Sequence, residues 1–163
     1  MNGRQLVVIA PLIVSGTVSL WVATGDRALA NSARMAANYI HQETLHAVGA
    51  IEFQGHWGFQ YYMESCGALP LQQGEYGSHP GDIIVVPVNN TNRFKVSEKT
   101  AAEKGVEVEV HPRVATISSE LGAGFYSSVW GFAIGAVPNE RYYLLRVLPR
   151  EKDTERTVEE HTP

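Results

Sequence analysis

Apolar and polar positions alternate with a different period in each part of this chain, and each period predicts an element. Leu6–Thr24 (LVVIAPLIVSGTVSLWVAT) carries no charge and only four hydroxyl residues. A bilayer-spanning helix needs roughly 20 mostly apolar residues, so the run predicts one transmembrane helix, with residues 1–25 as the anchor. Trp21 near its end suits the bilayer interface, and Pro11 and Gly16 are tolerated in such helices. Two other readings stay open. Ala28-Leu29-Ala30 has the small-x-small form of a signal cleavage site, with Arg4 as a minimal basic start, although the apolar run is long for a signal and Asp26 and Arg27 separate it from that site. A buried core helix would also be apolar, but the run is long for a small domain.

Beyond the run, Leu29, Ala33, Ala36, Ala37 and Ile40 recur at helical spacing and predict a juxtamembrane helix over 26–46, continuing from the anchor with Asp26 as N-cap. Residues 47–149 then predict an extracytoplasmic domain. Ala47–Gln54 reads as a short buried strand, broken at Gly55. His56–Ser65 reads as a helix, with Trp57 and Tyr61 on one face, Phe59 and Met63 on another, and Gly67 as a stop. Leu69–Gln72 reads as a second short strand; if it pairs in parallel with the first, the crossover is right-handed. Asp82–Val88 is β-branched and predicts a strand, with Pro87 at its end or on a sheet edge. Val106–Val110 alternates valine and glutamate, the pattern of a half-buried strand with its glutamates outward, and is expected to continue through Arg113 to Ile117. Leu121–Gly135 has no clear period, Arg141–Leu148 reads as the last strand, and 150–163 reads as a disordered tail. The expected class is α/β: a small mixed sheet with flanking helices, preceded by one N-terminal transmembrane helix.

Composition narrows the function. The chain has 163 residues, 44% hydrophobic and 18% charged, which suits one globular domain. A net charge of -4 without a basic stripe argues against nucleic acid as partner. Cys66 is the single cysteine, so neither an internal disulfide nor a multi-cysteine zinc site is expected, and it reads as a small buried hydrophobe.

Candidate chemistry is sparse. Gly55-His56-Trp57-Gly58 lies at a strand-to-helix junction, where backbone N–H groups favour anions, yet it is neither a Walker loop nor GxGxxG. The plainer reading is a tight turn with Trp57 buried. The six histidines include no HExxH pair, so no metal site is expected, and no cofactor is expected either. Glu64 and Asp82 are not held together as a carboxylate pair by anything local. Glycines with aromatics over Gly122–Gly131 suit a sugar, a lipid or a docking partner, or simply an ordered loop. There is no GxSxG elbow.

The order apolar helix, DRALANSAR, IEFQGHWGFQYYMES, PGDIIVVP and GAGFYSSVWGF resembles the C-terminal end of bacterial polyprenol-phosphate-dependent membrane glycosyltransferases, the protein O-mannosyltransferase and aminoarabinose-transferase type. The resemblance runs from Gln5 to Val147, and GHWGFQYYME is its most specific part. It implies that the apolar run is the last of many membrane helices, followed by a domain on the extracytoplasmic, periplasmic side. The family's catalytic acidic residues lie in its first extracytoplasmic loop, which has no counterpart here, so no catalytic residue is carried over. The expected role is accessory: contact with a glycan acceptor or lipid-linked sugar donor, or docking on a multi-helix glycosyltransferase subunit at the membrane. His56, Trp57, Tyr61, Tyr126 and Trp130 are the expected ligand-contacting residues. The alternatives are a free periplasmic ligand-binding protein released near Ala30 and a small enzyme using His56 as acid or base with Glu64 nearby.

Overall fold

The computed structural model describes residues 3–71, 78–90, 93–96, 100–124 and 131–149; the expected disordered tail lies outside them. Helix α1 (Gly3–Thr44) is followed by β1 (Ile51–Phe53), α2 (Trp57–Ser65), β2 (Leu69–Pro70), β3 (Ile83–Pro87), β4 (Thr100–Val108), β5 (Val114–Ala115), β6 (Ala133–Ile134) and β7 (Glu140–Val147). Two compact units divide these elements: α1 as far as Asn31 with Glu109–Asn139, and Ser32–Val108 with the segment that begins at Glu140.

The second unit is a mixed sheet of order β2-β1-β3-β7-β4 with flanking helices, the α/β class expected. β2, β1 and β3 run parallel (Glu52 opposite Leu69, Phe53 opposite Val85), while β7 is antiparallel to both β3 and β4. Alternation along the strands builds one apolar face. Phe53, Ile83, Val85, Val106, Val108, Tyr142 and Leu144 are buried there with Ala36, Ala37 and Ile40 of α1 and Phe59 and Met63 of α2. Ala36, Ala37 and Ile40 form the buried face of α1 here, while Phe59 fills the centre, edge-on to Phe53 (centroids 6.1 Å) and tilted against Tyr142 (5.0 Å). Glu107 and Glu109 face solvent between buried Val106, Val108 and Val110, as their alternation requires.

Several elements differ from the sequence reading. β1 starts at Ile51 and not at Ala47, because the preceding turn is tied down elsewhere. Ala50 N donates to the buried Asp82 carboxylate (2.7 Å), which also accepts from His79 N (2.6 Å). A Cβ on Gly49 would lie 2.5 Å from Gly81 O, so only glycine fits. β4 begins at Thr100, earlier than the valine–glutamate run, because β7 pairs it from Val147 onward across a bulge between Ala102 and Lys104. Pro87 ends β3, one of the two positions expected for it, in a strand that lies in the middle of the sheet. Cys66 is only half-buried, as the C-cap of α2.

In the first unit, β5 pairs antiparallel with β6 (Val114 opposite Ile134), and Ser118 bridges Ala123. The strand expected to continue from Val110 to Ile117 is therefore a separate short one. Asp26 is not an N-cap. α1 passes through it without a break, and its Oδ1 instead accepts from Thr116 N (3.1 Å) and Thr116 Oγ1 (2.8 Å). Val7–Thr44 is long and apolar enough to cross a membrane, and none of its most apolar stretch is buried.

One buried acid marks the end of the sheet. Glu140 is desolvated, which raises its carboxyl pKa, while an Asn89 Nδ2 hydrogen bond (2.8 Å) opposes the shift. A raised folded-state value means that the fold favours the protonated form. Its stabilisation is full at acidic pH and is lost as pH rises through the raised value. Glu140→Gln keeps the oxygen that accepts from Asn89 and cannot ionise. In thermal unfolding of the full chain in detergent, it is expected to exceed the wild type at about pH 8 and to lose that advantage towards about pH 4. Identical differences at both pH values would contradict this.

Candidate functional site

The turn from β1 into α2 is built around side chains that fold back onto the backbone. Buried Gln54 donates through Nε2 to Phe94 O and accepts at Oε1 from Phe94 N, both at 3.1 Å, so it holds the segment after β3 against β1. Gly55 sits at φ 103°, where a Cβ would lie 2.9 Å from Pro87 Cγ and 3.0 Å from Asn90, so glycine is required by both conformation and space. Asn90 then clamps His56 from both sides: its Oδ1 accepts from His56 N (3.0 Å) and its Nδ2 donates to His56 O (3.3 Å).

This clamp delivers Trp57 in the left-handed region, φ 64°, the one non-glycine residue there among the described residues. An aromatic side chain in that region costs of order 1–3 kcal/mol. The strain does not serve burial, because Trp57 is 70% exposed. The sequence reading that buries Trp57 in a tight turn is thus corrected: the turn is tight, but its tryptophan points outward. Tyr61, one helical turn on, is 69% exposed and stacks edge-on against Tyr62 at 5.3 Å. Phe59 and Met63, on the other face of α2, are in the core.

Beside the two rings runs a polar row. His56 Nδ1 lies 3.3 Å from Gln60 Oε1, and Gln60 Nε2 donates to Glu64 Oε1 (2.8 Å). Gln60 stands between the histidine and the glutamate and bonds to both. The row can donate and accept hydrogen bonds next to an apolar shelf. That suits a ligand with a hydrophobic ring face and hydroxyl edges, or a partner surface of mixed polarity. Among the described residues, no three His, Cys, Asp or Glu side chains come together to hold a metal.

The structure therefore brings His56, Trp57 and Tyr61 to one end and one exposed side of α2. Tyr126 and Trp130 lie outside the described residues. A second feature was not read from the sequence: a cavity of about 500 Å³ lined by Trp21, Thr24, Gly25 and Ala28 of α1 and by residues 111–114. The one available signal was Gly25-Asp26 directly after the apolar run, which places a residue without a side chain next to a charge.

Because Trp57 is strained and exposed, Trp57→Gly is expected to leave the thermal stability of the full chain unchanged or raise it by up to about 1 kcal/mol, relieving the left-handed backbone. Phe59→Ala, two positions away, is expected to cost about 3–5 kcal/mol. Comparable losses in the two variants would show that the Trp57 ring is structural.

No family model, curated protein or solved structure matches the chain, so the His56–Tyr61 surface and the long apolar helix carry the functional reading.

Proposed function

We propose that this chain is a membrane-anchored, extracytoplasmic accessory domain of lipid-linked-sugar transfer. In this reading α1 holds the α/β unit at the membrane. The His56–Trp57–Tyr61 surface contacts a glycan acceptor or lipid-linked donor, or docks on a multi-helix glycosyltransferase subunit. The observation that carries it is the exposed Trp57 ring, held in a strained backbone beside exposed Tyr61 and a hydrogen-bonding row. A fold that only needed a turn would place glycine there at no steric cost. Rings presented outward with adjacent polar groups suit saccharide recognition, where the ring covers the apolar sugar face and the polar row meets the hydroxyls.

The continuity of α1 supports a permanent anchor over a cleaved signal. Ala28-Leu29-Ala30 lies inside a helix that continues to Thr44, whereas a cleavage site must enter its protease in extended form. Glu64 reaches His56 only through Gln60, which gives no direct acid–base pair. Accessory binding therefore fits the site better than independent catalysis.

The full-length chain is expected to pellet with bacterial membranes and to be cut by protease only once the outer face of the inner membrane is exposed. Recovery as a soluble protein shortened by about 30 residues would overturn the anchor in favour of a released binding protein. With the anchor established, replacing Trp57 and Tyr61 by alanine should weaken capture of the lipid-linked glycan or transferase, each ring contributing about 0.5–1.5 kcal/mol. Undiminished capture of both by the folded double variant would sink the assignment of this surface.

A further inference from the structure

α1 as far as Asn31 and the segment that begins at Glu109 form one unit, with a cavity beside the end of the apolar stretch of α1, where the helix would leave a bilayer. Val7, Val8, Leu12, Ile13, Val14, Val18 and Leu20 are all exposed, a surface that only hydrocarbon would cover comfortably. Trp21, next in line, is half-exposed at the end of this stretch, the position an interfacial indole occupies. β5 is seated on the following turn. A Cβ on Gly25 would lie 2.2 Å from Val114 O, so backbone meets helix there, and the Asp26 carboxylate accepts both Thr116 bonds.

The cavity opens directly beside this seat, with Trp21, Thr24, Gly25 and Ala28 as its helical wall and residues 111–114 opposite. From Trp21 to Ala28 the helix rises roughly 10 Å, close to the headgroup layer of about 5–8 Å on each side of a bilayer. The opposite wall carries His111 and Arg113. The His111 imidazole lies 3.8 Å from the Glu109 carboxylate. Arg113 is exposed and makes no ion pair among the described residues. The same segment exposes Ile117, Leu121, Phe132 and Ile134, the last at 67%. An apolar helix surface, an interfacial tryptophan, an exposed guanidinium and an exposed apolar rim thus occur together in one unit.

We infer that this cavity holds the phosphate headgroup of an anionic membrane phospholipid. Arg113 makes the charge-assisted contact, and the acyl chains lie along the apolar surface of α1 below Trp21. A guanidinium fork matches two phosphate oxygens, and the small Ala28 side chain on the helical wall leaves room for the headgroup, while Gly25 admits the Val114 backbone. Continuity with the apolar surface of α1 favours a lipid over a free anion, because the same molecule satisfies both regions. The inference rests on α1 as a membrane span but not on the role of the Trp57 surface.

Flotation of the full-length chain with vesicles, followed by native mass spectrometry from detergent, tests it. The probes are phosphatidylglycerol, phosphatidylcholine of matched chains, and inorganic phosphate. The wild type is expected to float and to retain phosphatidylglycerol in preference to phosphatidylcholine. Arg113→Gln should reduce that preference about tenfold, as loss of one charge-assisted contact implies. Ala28→Trp, which fills the cavity from the helix side, should do the same in a chain that still floats. A chain that does not float overturns the anchor and this site together. A chain that floats but holds both lipids equally, or whose preference survives both substitutions, overturns this site alone. Displacement of the lipid by millimolar inorganic phosphate would make it a free-anion site and overturn the lipid assignment.

Discussion

Among the described residues nothing covers the first half of α1. From Val7 to Leu20 its side chains stand in the open, and the hydrophobic effect favours covering such a surface with apolar material. That constraint organises the chain chemistry around it. The first charges after the run, Asp26 and Arg27, set where the helix turns polar. Asp26 does not merely end an apolar stretch, since its carboxylate anchors Thr116 and so seats β5 on the helix. Gly25 completes the seat by having no side chain to hold the strand away.

Much of the α/β unit is legible in the sequence because its core obeys simple periods. The valine–glutamate alternation of Val106–Val110 gives a strand face and its orientation. The 3.6-residue period puts Phe59 and Met63 on one face of α2 and Trp57 and Tyr61 on another, without saying which face is buried. The β-branched run at Ile83–Val86 lies in the middle of the sheet, where few polar positions survive. Less legible are the features set by partners distant in sequence. Thr100–Lys104 has no apolar rhythm and is a strand because β7 pairs with it. Asp26 has the chemistry of a cap but is recruited by a residue ninety positions away. The turn before β1 looks like strand in Ala47–Ala50, yet Asp82 claims its backbone.

The candidate site was legible in its residue types and not in its geometry. Gly55-His56-Trp57-Gly58 signals a tight junction, and such junctions usually bury their tryptophan. The side chain's direction depends on Asn90, which lies after β3 and bonds both backbone groups of His56. Nothing in the local spacing announces that contact. The cavity beside Gly25 was hidden for the same reason: its two walls are about ninety residues apart, and its chemistry resides in one arginine with no local motif.

The strain at Trp57 can be weighed against the alternatives available to the same turn. A glycine at that position would make the turn without steric strain, as Gly55 already does two residues earlier. A buried tryptophan would offset the strain with transfer free energy of about 25 cal/mol per Å² of apolar surface, but this ring remains largely in solvent. The fold therefore carries a left-handed aromatic without the burial that would compensate it. Within the α/β unit Asn90 bonds both backbone groups of His56, the residue just before Trp57. Residues held in such regions by a rigid surround occur where presentation of a side chain matters more than local stability, and here the side chain presented is a ring flanked by hydrogen-bonding groups. The same reasoning separates Trp57 from Tyr143 and Leu69, which are also exposed on this unit but adopt ordinary strand backbone. Single exposed apolar residues of that kind are normal on a protein surface and need no function to explain them.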